Sequence, residues 1–234
     1  MQKAFFFNTH RKGENMPRAA VLLSGCGNRD GSEIHESVCA VIALDRKGWD
    51  IVYTAPAIPQ QKTVSYIDGR ELPPRDALEE SARIARGQIV PLDEIQLEEI
   101  DSVVIPGGLG VALTLCDFAV NGASCSTNPE VNSFLKNAHE MDIPIGAMCI
   151  APTLVAGCLP GTTLTIGSDK ATAEKIEKMG CRHMECPADK SVVDRQNRVV
   201  STPAYMTATG PAQVLEGAIS MVTALEELLN NRKD

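Results

Sequence analysis

Cys149 is the residue whose position in the sequence points most directly to chemistry. The segment IPIGAMCIAP, residues 143–152, runs as an apolar strand into this cysteine, and Pro152 follows where a helix can begin. The small residues Ala147 and Ala151 lie two positions away on each side, a spacing that lets a strand turn sharply and present a nucleophile. A thiol at a helix N-terminus is expected to have a lowered pKa and to react as the thiolate. The alternative is a buried cysteine that only packs.

Two glycines end a second buried strand, in the segment SVVIPGG. Gly107 and Gly108 lack side chains, so their backbone N–H groups can approach a ligand closely. Together with the N–H of Ile150, which directly follows the nucleophile, Gly108 is predicted to form an oxyanion hole. The alternative is an ordinary turn at the end of a strand.

An acidic residue begins the first predicted helix, in the segment DGSEIHE. Glu33 should lie at the carboxyl edge of the sheet, where a carboxylate can exchange protons with the thiol or with a substrate. The alternative is an acid that only interacts with the helix dipole. His35 is two positions further on, and neighbours two apart on a helix point away from each other, so its access to the pocket stays open.

The elements that must position these residues alternate between strand and helix. Residues 18–24 and 51–55 read as buried strands on either side of a helix over residues 33–47, which is a parallel βαβ unit. Ile34, Val38, Val41 and Ile42 form one apolar stripe on that helix, which is predicted to face the core. Further strands are predicted over residues 102–106, 143–148 and 164–167, further helices over 78–86, 129–141, 171–179 and 211–229, and a hairpin over 191–202.

This alternation predicts an α/β fold with a doubly wound, mostly parallel sheet and helices on both faces. Residues 18–234 are predicted to form one domain, preceded by an N-terminal extension over residues 1–17. Residues 56–74 contain scattered prolines and an Asp-Gly turn, and are predicted to be an inserted hairpin. This insert is a candidate either for a lid over Cys149 or for a contact in a dimer.

The composition limits the class of partner. A net charge of −8, with no run of Lys or Arg longer than two, disfavours nucleic-acid binding. No apolar stretch approaches the roughly 20 residues that span a bilayer, so no membrane partner is predicted. A cytoplasmic location is predicted, and a trimmed organellar presequence is the alternative, disfavoured because residues 1–17 lack an Arg-rich amphipathic pattern.

The eight cysteines include no C-x-x-C pair. Cys181, His183 and Cys186 are close in sequence but lack a second ligand pair at zinc-finger spacing, so no metal is predicted. Without an export signal, most of the cysteines are expected to be small buried hydrophobic residues.

Five ordered motifs give the chain a family resemblance. SGCGNRDGSEIHE, VIPGGLG, MCIAP, LTIGSD and STPAYM resemble those of the ElbB-type glyoxalases, also described as isoprenoid-biosynthesis proteins with an amidotransferase-like domain. These belong to the PfpI-like branch of the class I glutamine-amidotransferase-like superfamily. The resemblance implies a flavodoxin-like sandwich, a catalytic cysteine at Cys149, a glutamate at Glu33, and oxyanion donors at Gly108 and Ile150. It also implies weak glyoxalase activity without a cofactor, and a homodimer.

The chain departs from the wider family at several positions. Ile150 stands where many PfpI-type relatives have a histidine, and no histidine follows His183, which disfavours amidotransferase and peptidase chemistry. Asp169 stands where some relatives place a histidine on the loop after the nucleophile. Tyr205, in STPAYM, is expected either near the pocket or in the core.

The function predicted from the sequence is conversion of small dicarbonyls such as glyoxal to the hydroxy acid. Cys149 would add to an aldehyde to give a hemithioacetal, and Glu33 would move a proton between the adjacent carbons. No metal, nucleotide or glutathione is predicted to be needed. The rival hypothesis is a non-catalytic redox sensor or binding protein in which Cys149 is oxidised.

Overall fold

The computed structural model describes residues 16–231, so most of the predicted N-terminal extension lies outside the described residues. The strands are β1 (Arg18–Leu22), β2 (Asp50–Ala55), β3 (Ile89–Pro91), β4 (Ser102–Ile105), β5 (Ile145–Met148), β6 (Thr163–Leu164), β7 (Arg182–His183), β8 (Val192–Asp194) and β9 (Val199–Thr202). The α-helices are α1 (Ile34–Arg46), α2 (Ala77–Ile84), α3 (Phe118–Asn121), α4 (Pro129–Glu140), α5 (Pro152–Cys158), α6 (Lys170–Lys178) and α7 (Pro211–Asn230).

Seven of these strands form one sheet in the order β3-β2-β1-β4-β5-β9-β8. All neighbours are parallel except β8 and β9, which pair antiparallel as the predicted hairpin. The order reverses between β1 and β4, which is the switch point at which doubly wound sheets bind ligands. The predicted flavodoxin-like α/β fold is confirmed.

The two faces of the sheet bury separate apolar clusters because successive strand side chains point to opposite sides. In β1, Ala19 and Val21 face the cluster under α1 and α7, whereas Ala20 and Leu22 face the cluster under α4 and α5. Among residues 16–231 no helix has the length and apolarity needed to cross a membrane.

The face of α1 that packs inward differs from the predicted stripe. Ile34 and Val38 are each 45% exposed, and the buried side chains are mainly small ones such as Cys39, Ala40 and Ala43. Small residues occupy these positions because α1 packs closely against α7, and larger side chains would hold the two helices apart.

Several short elements were absent from the sequence prediction, among them β3 and a π-helical turn, and one predicted strand is shorter than expected. The edge strand β3 has only three residues and ends in a proline, so it carries no periodic signal. The segment Val111–Leu115 forms a π-helical turn, an element with no recognised sequence signature. The predicted strand at 164–167 shortens to β6, which pairs with β7 in a separate two-stranded sheet.

The insert over residues 56–74 is fastened to the loop after β1. The Tyr66 hydroxyl donates to Asp30 Oδ1 at 3.0 Å and accepts from the backbone N–H of Arg29 at 2.7 Å. Val64 is buried and its N–H donates to Asp30 Oδ2 at 2.9 Å, whereas Ile67 is 98% exposed. The buried carboxylate of Asp30 therefore holds the insert in place.

Candidate active site

Cys149 lies on a tight turn between β5 and α5. Its φ is +58°, a left-handed conformation that costs a non-glycine residue on the order of 1 kcal/mol or more. Its N–H donates to the Thr202 carbonyl at 3.0 Å, and the N–H of Ala151 donates to the Met148 carbonyl at 2.9 Å. Ala147 and Ala151 are fully buried beside the turn, as the predicted elbow requires. The strained turn directs the thiol to the carboxyl edge of the sheet.

The carboxylate of Glu36 meets this thiol. It hydrogen-bonds with the Cys149 side chain and also accepts the N–H of Gly107 at 2.9 Å and the N–H of Tyr205 at 3.2 Å. The Glu36 side chain is completely buried. Three elements, α1 and the loops after β4 and β9, thus converge on one carboxylate beside the sulfur.

Burial raises the pKa of the Glu36 carboxyl to about 7. The hydrogen bonds from Cys149, Tyr205 and Gly107 oppose this rise, and the negative charge of Glu33 adds to it. A carboxyl group with a pKa near neutrality can both accept and return a proton under physiological conditions.

The pKa of the Cys149 thiol is raised well above its usual value, chiefly by burial and then by the charge and hydrogen bond of Glu36. The backbone N–H groups of Gly108 and Ile150 act in the opposite direction. The predicted lowering of the pKa is therefore wrong while Glu36 is ionised, because burial and a facing carboxylate outweigh the short helix α5.

The backbone N–H groups of the two glycines after β4 have different partners in the site. The Gly107 N–H donates to Glu36, so it is not available to a ligand, contrary to the expectation that both glycines offer their N–H groups. A Cβ at Gly107 would lie 2.5 Å from the Cys149 Cβ, which leaves room only for glycine. Gly108, with φ of +101°, and Ile150 are the residues whose N–H groups lie against the sulfur.

Glu33 occupies a different position from the one predicted. It is the N-cap of α1, and its Oε2 accepts the N–H of Glu36 at 2.7 Å. It still lines the pocket, but Glu36 is the carboxylate that contacts the thiol. The reason is helical geometry: Glu33 folds back over the helix end, whereas Glu36 lies within the first turn and faces the sheet edge.

The thiol opens into a pocket of about 460 Å³. Its lining residues are Asn28, Glu33, His35, Gly108, Leu109, Cys149, Ile150, Tyr205 and Met206. His35 Nδ1 and the Tyr205 hydroxyl lie 2.7 Å apart, which brings both predicted pocket residues to one wall. Burial raises the pKa of the Tyr205 hydroxyl, so it stays protonated and can donate a hydrogen bond.

A known family model matches the segment of the chain that contains these site residues. The model of the DJ-1/PfpI family matches residues 26–224, which include the elbow, both glycines and Glu36. The chain belongs to the DJ-1/PfpI family. This family lies in the class I glutamine-amidotransferase-like superfamily, and its members include glyoxalases, deglycases and redox-sensing proteins.

Several DJ-1/PfpI-type relatives cover nearly the whole chain. The human glutamine amidotransferase-like class 1 domain-containing protein 3, mitochondrial, is 39% identical over 90% of this chain and 83% of its own length. The mitochondrial ES1 protein of Danio rerio is 30% identical over 81% of this chain and 77% of its own.

Solved structures agree with the fold. The isoprenoid biosynthesis protein with an amidotransferase-like domain from Ehrlichia chaffeensis has a TM-score of 0.82 and 36% identity, covering 90% of this chain and 99% of that one. Drosophila melanogaster DJ-1beta shares the fold, with a TM-score of 0.52 and 19% identity over 92% of this chain and 96% of that one.

Three further predictions need correction. Asp169 is the N-cap of α6, accepts the Thr172 N–H at 2.7 Å and does not line the DJ-1/PfpI pocket. None of residues 56–74 lines the pocket, so this insert is not a lid over Cys149 in the structure. The cytoplasmic location is contradicted by the curated relatives, which are named as mitochondrial proteins.

Proposed function

We propose that the chain is an ElbB-type, cofactor-independent glyoxalase that converts small dicarbonyls such as glyoxal to hydroxy acids. The observation that carries this proposal is the hydrogen bond between the Cys149 thiol and the buried Glu36 carboxylate at the floor of a small pocket. A thiol beside a carboxyl group whose pKa is near 7 suits a reaction that needs both a nucleophile and a proton carrier.

In the first step the Cys149 sulfur attacks one aldehyde carbon of glyoxal. Glu36 accepts the thiol proton as the S–C bond forms, and the carbonyl oxygen becomes an alkoxide. The N–H groups of Gly108 and Ile150 donate to this oxygen, and a proton from Glu36 then completes the hemithioacetal.

In the second step a proton moves between the two carbons. Glu36 removes the proton from the carbon bound to sulfur, and an enediol forms as the second carbonyl oxygen takes a proton from water. Glu36 then returns its proton to the second carbon while the hydroxyl group on the sulfur-bearing carbon loses its proton to water, which gives a hydroxy thioester. Water then cleaves the C–S bond, which releases glycolate and restores the Cys149 thiol. The role first assigned to Glu33 thus passes to Glu36.

The wall of the pocket formed by His35 and Tyr205 can bind the second carbonyl group of the dicarbonyl. The Tyr205 hydroxyl is protonated, and when His35 Nδ1 carries the ring proton and donates to it, the hydroxyl proton can be donated to a carbonyl oxygen. Leu109 and Met206 supply apolar surface on the same pocket. The pocket volume fits a small dicarbonyl better than a protein or an extended peptide.

Proton NMR of the purified protein with glyoxal and with methylglyoxal tests the proposal. Glycolate and lactate are expected, and Cys149→Ser should remove product formation. Cys186→Ser is the matched control, because this cysteine lies outside the pocket and should leave the rate unchanged. Absence of both hydroxy acids with the wild-type protein would refute the glyoxalase assignment.

Redox sensing through Cys149 is the second candidate. It is favoured by the raised pKa of Glu36, because a protonated carboxyl group can donate a hydrogen bond to an oxygen of a cysteine sulfinic acid. Mass spectrometry after mild peroxide treatment should then show two added oxygens on Cys149, and Glu36→Gln should change the yield.

We also propose a homodimer located in mitochondria. DJ-1/PfpI proteins commonly form dimers, and exposed apolar side chains of this chain, Ile34 and Val38 on α1 and Ile67 on the insert, are candidate contacts. Light scattering should give about twice the 25.1 kDa of the chain, and Val38→Glu should shift the mass toward a monomer if α1 forms the contact.

The proposed mitochondrial location is based on the names of the relatives, which are mitochondrial proteins, and cell fractionation tests it.

A further inference from the structure

A second group of thiols lies away from Cys149, where the chain leaving the π-helical turn Val111–Leu115 pairs with the chain entering α4. Cys116 and Thr127 form an antiparallel bridge. The Asp117 N–H donates to the Ser126 carbonyl at 3.1 Å, which extends the pairing by one residue. These bonds fix the two segments side by side.

The pairing places two cysteines on one face. Side chains alternate along paired segments, so Cys125, two residues before Thr127, lies on the same face as Cys116 and diagonal to it. The Cys116 thiol donates to the Val111 carbonyl at 3.3 Å, and it also interacts with the Cys125 thiol, because each thiol shifts the pKa of the other. A third thiol approaches from α5, since the Cys158 Sγ lies 3.7 Å from Thr127 Oγ1.

Solutes can reach this pair. Cys116, although buried, lines a cavity of about 580 Å³ together with Asp117, Ser126 and Thr127, and Cys125 is half-buried and directly precedes Ser126 in the chain. Within the described part of the chain, no cluster of three or more His, Cys, Asp or Glu side chains has a geometry suited to a metal ion. The thiols are therefore more suited to redox chemistry than to metal binding.

We propose that Cys116 and Cys125 form a second redox site, a thiol pair that a peroxide converts to an intramolecular disulfide and that a dithiol reductant restores. The bridge between Cys116 and Thr127 already places the two cysteines on one face, and formation of the S–S bond of about 2.05 Å requires a local shift that brings the sulfurs together. Cys125 directly follows the 3₁₀ turn Gly122–Ser124, which can take up that shift.

The two cysteines have different parts in this reaction. Interaction with Cys116 lowers the pKa of Cys125, whereas the pKa of Cys116 is raised by that interaction and by burial. Cys125, which is also the more exposed, is therefore the attacking thiolate.

The steps balance as a two-electron oxidation. The Cys125 thiolate attacks one peroxide oxygen, the O–O bond breaks, and the sulfenic acid forms while hydroxide leaves and takes up a proton as water. The Cys116 sulfur then attacks the sulfenic sulfur, the S–O bond breaks, and the departing hydroxide takes the Cys116 proton as a second water. One peroxide is reduced and two thiols are oxidised.

Peptide mapping gives a direct test, because trypsin releases residues 87–136 as one peptide that contains Cys116 and Cys125 and no other cysteine. The full chain is treated with stoichiometric hydrogen peroxide, alkylated and digested. This peptide should lose two hydrogen atoms in mass and resist alkylation at both cysteines, and dithiothreitol should reverse both changes.

Matched variants separate this pair from its neighbours. Cys125→Ser should abolish the mass loss and leave Cys116 open to alkylation under denaturing conditions, whereas Cys158→Ser should retain the disulfide. Circular dichroism of each variant confirms folding. The proposal is overturned if the peptide stays fully alkylated when Cys149 is already oxidised, if Cys125 instead gains oxygen without a cross-link, or if Cys158→Ser removes the disulfide.

Discussion

Glu36 and Cys149 share one hydrogen bond and shift each other's pKa in opposite directions. Glu36 raises the pKa of the Cys149 thiol, whereas the thiol lowers the pKa of Glu36 against the larger effect of burial. A thiol that donates to an ionised carboxylate has this reciprocal effect, because the bond stabilises the carboxylate and retains the proton on sulfur. The pair therefore holds a proton that attack on a substrate can move.

Replacing Glu36 tests this coupling at the sulfur. Glu36→Gln removes a negative charge beside Cys149, so the apparent pKa of the thiol should fall. The measurement is the rate of Cys149 alkylation against pH by mass spectrometry. Glu33→Gln is the control and should leave the thiol pKa nearly unchanged. A rise in Glu36→Gln would show instead that Glu36 carries the proton and donates it to a thiolate.

The same carboxyl group should make stability depend on pH. Its pKa is about 7 in the folded protein, and an unfolded glutamate titrates near 4.3. Between these values the folded state keeps a proton that the unfolded state has lost, so the free energy of unfolding should fall as pH rises and then level off above about 7. The loss attributable to Glu36 is up to about 4 kcal/mol.

Urea unfolding at pH 5 and pH 8 measures this loss. The free energy of unfolding of Glu36→Gln minus that of wild type should be larger at pH 8 than at pH 5, because glutamine has no charge to bury. The exposed Glu98→Gln serves as the control and should show no such pH-dependent difference. Equal differences at both pH values would contradict a raised pKa for Glu36.

The fold and the turn that carries Cys149 could be predicted from the sequence because their signals are local. Alternation of apolar runs and helical segments is enough to indicate a doubly wound sheet, and the small residues around Cys149 indicate the elbow. Gly107 and Gly108 were also located correctly at the end of β4, although the N–H of Gly107 binds Glu36.

The acidic partner could not be predicted because it depends on where α1 begins. The helix was expected to begin at Glu33, and the structure begins it one residue later, at Ile34, with Glu33 as the N-cap. One residue corresponds to a rotation of about 100° around a helix, which decides which glutamate faces the sheet. The apolar stripe of Ile34 and Val38 was misleading for the same reason, since the buried face is the one that carries Glu36.

Gly107 should be intolerant of any side chain. Alanine would place a Cβ 2.5 Å from the Cys149 Cβ and 2.6 Å from Glu36 Oε2, so the elbow or the carboxylate must move. Gly107→Ala should lower the free energy of unfolding by about 1–3 kcal/mol and slow the alkylation of Cys149. Gly210→Ala is the control, because nothing lies within 4 Å of a Cβ there, and its cost should stay below about 1 kcal/mol. Similar behaviour of both variants would show that Gly107 is not a steric requirement.

The backbone strain at Cys149 predicts an unusual order of stability. With φ at +58°, this position favours glycine over alanine, so Cys149→Gly should be more stable than Cys149→Ala by about 1 kcal/mol, although both lack the nucleophile. At Cys39, inside α1, the order should reverse, and alanine should exceed glycine by about 1 kcal/mol. Chemical denaturation of the four variants measures both differences. If the alanine variant is the more stable one at both positions, the backbone at Cys149 is not strained. Packing, rather than a strained backbone, must then hold the thiol at the pocket.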